Sequence, residues 1–154
     1  MRAEDILRIV YFIETGIGKF ESVSAIASGA SGSELLHAAV FDKSIQKICL
    51  VHPFTSFADI VLNGDYSPAF IPSTVAGAIE KYDLPDLMAA LSPRKVLIIN
   101  PLSGNGDPAG DDQKFCNLSY PRIVYNQKGL EDHFKHVVVD EGQPVHEQII
   151  KWLK

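Results

Sequence analysis

No apolar run in the 154 residues approaches the roughly 18 to 20 that a helix needs to cross a membrane, so no helical span is predicted. Basic residues are the minority, 14 against 19 acidic ones for a net charge of −5, and they form no stripe along any predicted helix or loop. Nucleic acid and anionic membrane surfaces are therefore not expected partners. Cysteine is scarce: Cys49 stands in an apolar stretch where a small hydrophobe is expected and Cys116 in a polar one, and two such thiols settle neither a disulfide nor a redox compartment. The first residues carry Arg2, Glu4 and Asp5 instead of the pattern of an export signal. Metal-ligand spacing is poor as well. His133 and His136 are three apart at the entrance to a strand, where odd spacing turns them to opposite faces, so no metal or cofactor is expected. No internal repeat, low-complexity tract or linker divides the chain, and one domain over residues 1–154 is expected. With 46% hydrophobic residues, it can bury a substantial core.

What is present is an alternation of helical and strand-like segments. Ile6, Ile9, Val10 and Ile13 recur at helical spacing, so a helix is predicted from Ala3 to about Glu14, ended by Gly16 and Gly18. Val23 to Ala27 reads as a first buried strand, Gly29 to Ser33 as a tight bend and Glu34 to Phe41 as a helix. A second strand is predicted at Lys47 to His52, closed by Pro53, with His52 at a strand end where it can line a pocket. Helical stretches follow at Ser56 to Asn63, after Pro72, and at Leu84 to Leu91, where Asp83 can cap and Pro85 fits the first turn. The third strand is Lys95 to Asn100, followed by a Gly/Asp/Asn-rich loop over 101–112 and a helix from Pro121 to Lys128. His136 to Asp140 is the fourth strand, and Val145 to Leu153 closes the chain as a helix with Ile149, Ile150 and Leu153 on its apolar face. Continuous Val/Ile/Leu strands separated by helices predict an α/β fold, a parallel sheet of about four strands with helices on both faces. Four strands leave an edge for something to cover.

In open parallel sheets functional groups gather at the carboxyl ends of the strands. The first such turn carries Ser31 between small residues, at the start of a helix whose backbone N–H groups can stabilise negative charge on an attacked carbonyl. The loop after the third strand carries Ser103, Gly104, Asn105, Gly106 and Asp107, and the loop after the fourth carries Asp140, Glu141 and then His146. Nucleophile, acid and base thus run in the order Ser31, Asp107, His146, with the Gly32 N–H as an oxyanion donor. A dinucleotide fingerprint is the lesser alternative, because Gly29 and Gly32 lack the three-glycine spacing and His52 stands where an acidic residue is needed. His37 reads as a satisfied, partly buried histidine, and Phe134 and Trp152 as packing residues.

Beyond this turn, the runs Tyr66-Ser67-Pro68-Ala69-Phe70-Ile71-Pro72, Tyr82-Asp83-Leu84-Pro85-Asp86-Leu87 and Leu91-Ser92-Pro93-Arg94-Lys95 resemble the C-terminal half of α/β-hydrolases of the acetyl-xylan-esterase-like group. The resemblance extends from about Val23 to the C-terminus. It implies a partial α/β-hydrolase fold, the C-terminal part of a larger hydrolase, and an esterase that removes acetyl or similar groups from plant polysaccharide or oligosaccharide or from another small ester. It also implies a nucleophile at Ser31 and a base at His146. The family's acid falls near Ser103 or Gly104, so Asp107 lies a few residues on, and Asp59 is a second candidate. Only a helix precedes Val23, so the loop that donates a second oxyanion N–H has no counterpart here, and weak or no esterase activity is expected of these residues alone. A homodimer or an N-terminal half would complete the sheet. The rival expectation is a non-catalytic interaction module of a larger carbohydrate-active protein. Related esterases are exported, which the resemblance extends to a parent protein.

Overall fold

The computed structural model describes residues 2–18, 20–140 and 142–154. Four parallel strands, β1 (Val23–Ser28), β2 (Ile45–Val51), β3 (Lys95–Ile99) and β4 (Phe134–Val137), lie side by side in chain order. Six α-helices accompany them: α1 (Ala3–Phe12), α2 (Ser31–Phe41), α3 (Phe57–Leu62), α4 (Leu84–Ala90), α5 (Asp111–Gln127) and α6 (Val145–Leu153). The predicted class, a parallel α/β sheet with helices on both faces, is the one observed.

The register explains the layering. Ala25, Ile48, Val96 and Phe134 form one row across the sheet, and all face the larger core, where α2, α4 and α5 contribute Leu35, Leu36, Met88, Leu118 and Tyr125. The next row, Ile26, Cys49, Leu97 and Lys135, faces the other side. There Cys49 and Leu97 are buried with Val145, Ile149 and Trp152 of α6, whereas Ile26 on the edge strand stays 51% exposed. One face is thus fully roofed and the other only over its β2–β4 side. Burial along β1 alternates accordingly, with Val23, Ala25 and Ala27 turned inward and Ser24, Ile26 and Ser28 outward.

Polar side chains tie the connections down. Asp83 caps α4 through the Leu84 N–H at 2.6 Å and also accepts from Ser56 Oγ at 2.6 Å and the Phe57 N–H at 2.6 Å, so one carboxylate holds the starts of two helices. Arg94 donates through Nη1 to the carbonyls of Ala39 at 2.5 Å and of Asp42 and Ile45 at 3.0 Å each, clamping the end of α2 to the start of β2. Tyr125 Oη returns a hydrogen bond to the Arg94 carbonyl at 2.8 Å. The Tyr66–Pro72 run forms a 3-10 turn at Pro68–Ser73.

Four predicted boundaries shift for physical reasons. α1 ends at Phe12 and runs on as a π-helical turn over Ile13–Ile17. α2 begins at Ser31, three residues before the predicted start. α5 begins at Asp111 and passes straight through Pro121, which was predicted to open a helix. Proline costs a backbone hydrogen bond there, but burial of Leu118, Pro121 and Tyr125 along one face outweighs it. β4 lies earlier than predicted because Phe134 enters the core and Val138 leaves the ladder. Beyond it the Asn100 amide replaces a strand neighbour, accepting from the Val139 N–H at 2.6 Å and donating to the Val139 carbonyl at 3.1 Å.

Candidate functional site

The carboxyl end of the sheet turns through one conformation three times. The last ladder row is Ser28, Val51, Ile99 and Val137, and the residues that follow the first three, Gly29, His52 and Asn100, have φ of 59°, 49° and 48°. Each still reaches its neighbour strand: the Gly29 N–H donates to the Val51 carbonyl at 2.8 Å, His52 to Ile99 at 2.8 Å and Asn100 to Val137 at 3.0 Å. Glycine takes this left-handed region freely, and asparagine and histidine are among the other residues most often found there, at a cost below the roughly 1–2 kcal/mol of a general side chain. His52 and Asn100 are the only non-glycine residues with positive φ among those described, and they stand next to each other on the two central strands.

Those two residues open onto a cleft of about 640 Å³ above β2, β3 and β4. Its polar lining is His52, Asn100, Lys114, Asp140 and Gln143, over apolar residues that include Leu102 and Val139. Asn100 uses both ends of its amide on Val139, so it is a fixed wall. The His52 ring is exposed, and its Nε2 lies 3.5 Å from Asn100 Nδ2, at the limit of a hydrogen bond. Lys114 pairs with Asp111 at 2.8 Å, with its own side chain 16% exposed and that of Asp111 99% exposed. The Lys114–Asp111 bond and the nearby ammonium hold the Asp111 carboxyl below its ordinary range.

The residues predicted to form a triad lie elsewhere. Ser31 is in the first turn of α2, lining a groove with Ile6, Ile26 and Leu35 beside β1 and not the strand-end cleft. Asp107 is exposed and accepts from Asn105 Nδ2 at 2.7 Å within its own loop. His146 is exposed on the first turn of α6. No hydrogen bond joins any two of the three among the described residues, and Ser31 and His146 follow β1 and β4, the two edge strands of the sheet. The Gly32 N–H, expected to face an oxyanion, donates instead to the Gly29 carbonyl at 3.1 Å, closing the bend. Asp59, the alternative acid, is engaged: its Oδ2 accepts from the Gly104 N–H at 2.9 Å and its Oδ1 from Gln113 Nε2 at 3.4 Å. Glu141, read with Asp140, lies outside the described residues.

The sharp strand-to-helix bend nonetheless exists, with its left-handed residue at Gly29. In a nucleophile elbow that strained position carries the reacting side chain. Here it carries none, and a Cβ built on Gly29 would meet nothing within 4 Å. The fold has a distant structural counterpart. An acetyl xylan esterase from Paenibacillus sp. R4 superposes with a TM-score of 0.64 at 15% identity, over 98% of this chain and 50% of that one. No protein-family model matches the chain, and no curated protein does. The similarity to the Paenibacillus esterase is one of fold, a partial hydrolase-like α/β sheet, and this chain spans half of that structure's length.

The other histidines have structural partners. His37 Nδ1 meets the Ser33 carbonyl at 2.6 Å and its Nε2 the Tyr82 hydroxyl at 2.8 Å, as expected of a satisfied, partly buried histidine. His133 Nδ1 meets the Pro93 carbonyl at 2.6 Å. His136 Nδ1 accepts from Arg122 Nη2 at 3.0 Å, and partial burial, Arg122 and Lys114 together hold its pKa below the ordinary imidazole value. Asn100 and Lys114 were missed by the sequence reading. An Asn between Ile99 and Pro101 at a strand end was the available signal for the first.

Proposed function

We propose that this chain is a non-hydrolytic α/β-hydrolase-like module that holds a small ligand in the strand-end cleft. One observation carries the reading: the left-handed apex of the strand-to-helix bend is Gly29, so the position from which this architecture presents a nucleophile has no side chain. The cleft itself fits a binding role, being concave, largely apolar and edged by a few convergent polar groups at the carboxyl ends of parallel strands. Edge strand β1 carries no charge or proline along Val23–Ser28, which suits it to pairing with further strands from another half or a second copy.

A second reading is favoured by the Paenibacillus structure, which is titled an acetyl xylan esterase. On it, this chain is a serine esterase acting on acylated carbohydrate or a similar ester, with Ser31 as nucleophile, His146 as base, Asp107 as acid and Gly32 as oxyanion donor after rearrangement. Hydrolysis of an aryl acetate by the wild type and by Ser31→Ala separates the two. The module reading expects no turnover above buffer in either protein; turnover in the wild type that Ser31→Ala abolishes would establish the esterase.

A further inference from the structure

Resting on the ligand-binding reading, we propose that the cleft takes a small organic carboxylate, held at its charged end by Lys114 and the His52 ring and along its hydrocarbon part by Leu102, Val139 and Val145. These residues share the one cleft, and its volume of about 640 Å³ suits a small molecule. Lys114 is the cation available there. Its stem is largely buried while its carboxylate partner, Asp111, is 99% exposed. Asp111 stands in water whether or not it is paired, so the ammonium can exchange it for a ligand carboxylate at small cost.

Arg122 and His136 line a separate hollow with Asn126 and Lys135, which leaves Lys114 as the lysine or arginine that lines this cleft among the described residues. His52 adds a ring with no short hydrogen bond of its own, held at the cleft by a backbone that a glycine would hold more easily. Asp140 lines the same cleft and is exposed. A single lysine suits a monoanion with an apolar tail better than a dianion such as phosphate, which needs several cations.

Calorimetric titration of the whole chain with phenylacetate and hexanoate, each beside its methyl ester, tests the assignment. The acids are expected to bind at least tenfold more tightly than the esters. Lys114→Gln should weaken the acids tenfold or more and leave the esters unchanged, Lys114→Arg should restore most of the difference, and His52→Gly should weaken the acids without loss of folding. Equal binding of acid and ester, no binding of either acid, or an unchanged acid affinity in Lys114→Gln would overturn it. Hydrolysis of the methyl esters would instead sink the non-hydrolytic reading while leaving acid selectivity to stand or fall on its own result.

Discussion

Replacing Gly29 by Ala examines the left-handed apex directly. At φ 59° a side chain costs about 1–2 kcal/mol in backbone strain, and the loss of chain entropy in the unfolded state returns about 0.4–1 kcal/mol of that. Sterics add nothing, because no atom lies within 4 Å of the new Cβ. The net expectation is a loss of about 1 kcal/mol, or about 2–4 °C in melting temperature for a chain of this size. Gly29→Asn, whose side chain tolerates this region, should lose less. Gly104→Ala is the contrast: its Cβ would sit 2.4 Å from the Asp59 carbonyl oxygen and 2.7 Å from Ile60 Cα, both backbone, so the loop after β3 must move and the loss should exceed 3 kcal/mol. Urea unfolding of the three variants reads all of this. A Gly29→Ala variant as damaged as Gly104→Ala would mean that the bend is packed and not open, and a stabilised one would mean that Gly29 is not left-handed; either refutes the vacant-apex argument.

Other outcomes follow from the same structure. Asp83→Ala removes the cap of α4 and the shared acceptor for Ser56 and Phe57, and should lower unfolding free energy by about 3 kcal/mol in urea titrations. Burial pushes the Cys49 thiol up to about 11, so at pH 8 only about a thousandth of it is thiolate, whereas Cys116 is exposed; one thiol per native chain should react rapidly with a disulfide reagent and two after denaturation. His136 is held below the ordinary imidazole value near 6.5 in the folded chain, so the unfolded state binds more protons just below neutrality. Stability should therefore fall as pH drops from about 7 through that value, and His136→Gln should flatten the slope measured by denaturant titration at successive pH values.

The parallel sheet and its helices on both faces were legible because they rest on burial. Ile45–Val51 and Lys95–Ile99 are nearly uninterrupted apolar runs, and Val145–Leu153 shows its apolar face at helical spacing, so those elements fall where the pattern places them. Where local rules and tertiary packing disagree, packing prevails. Pro121 reads as a helix start, yet the face made by Leu118, Pro121 and Tyr125 carries α5 through it, and with that misplaced start Lys114 fell in a loop and out of view. The candidate site was less legible. Small residues around Ser31 mark a bend, but which of Gly29, Ala30 or Ser31 takes the positive φ depends on where β1 releases the chain, at Ser28, three residues before Ser31. His52 can line a pocket by its strand-end position alone, and it does line the cleft. Its pairing with Asn100 arises from the sheet register, which no local pattern encodes.

The claim that the bend presents no nucleophile is tested most directly by the intact mass of the native chain after incubation with a fluorophosphonate. The account predicts an unmodified mass at times and concentrations that label serine hydrolases fully. A single adduct on Ser31, missing from Ser31→Ala, would contradict it.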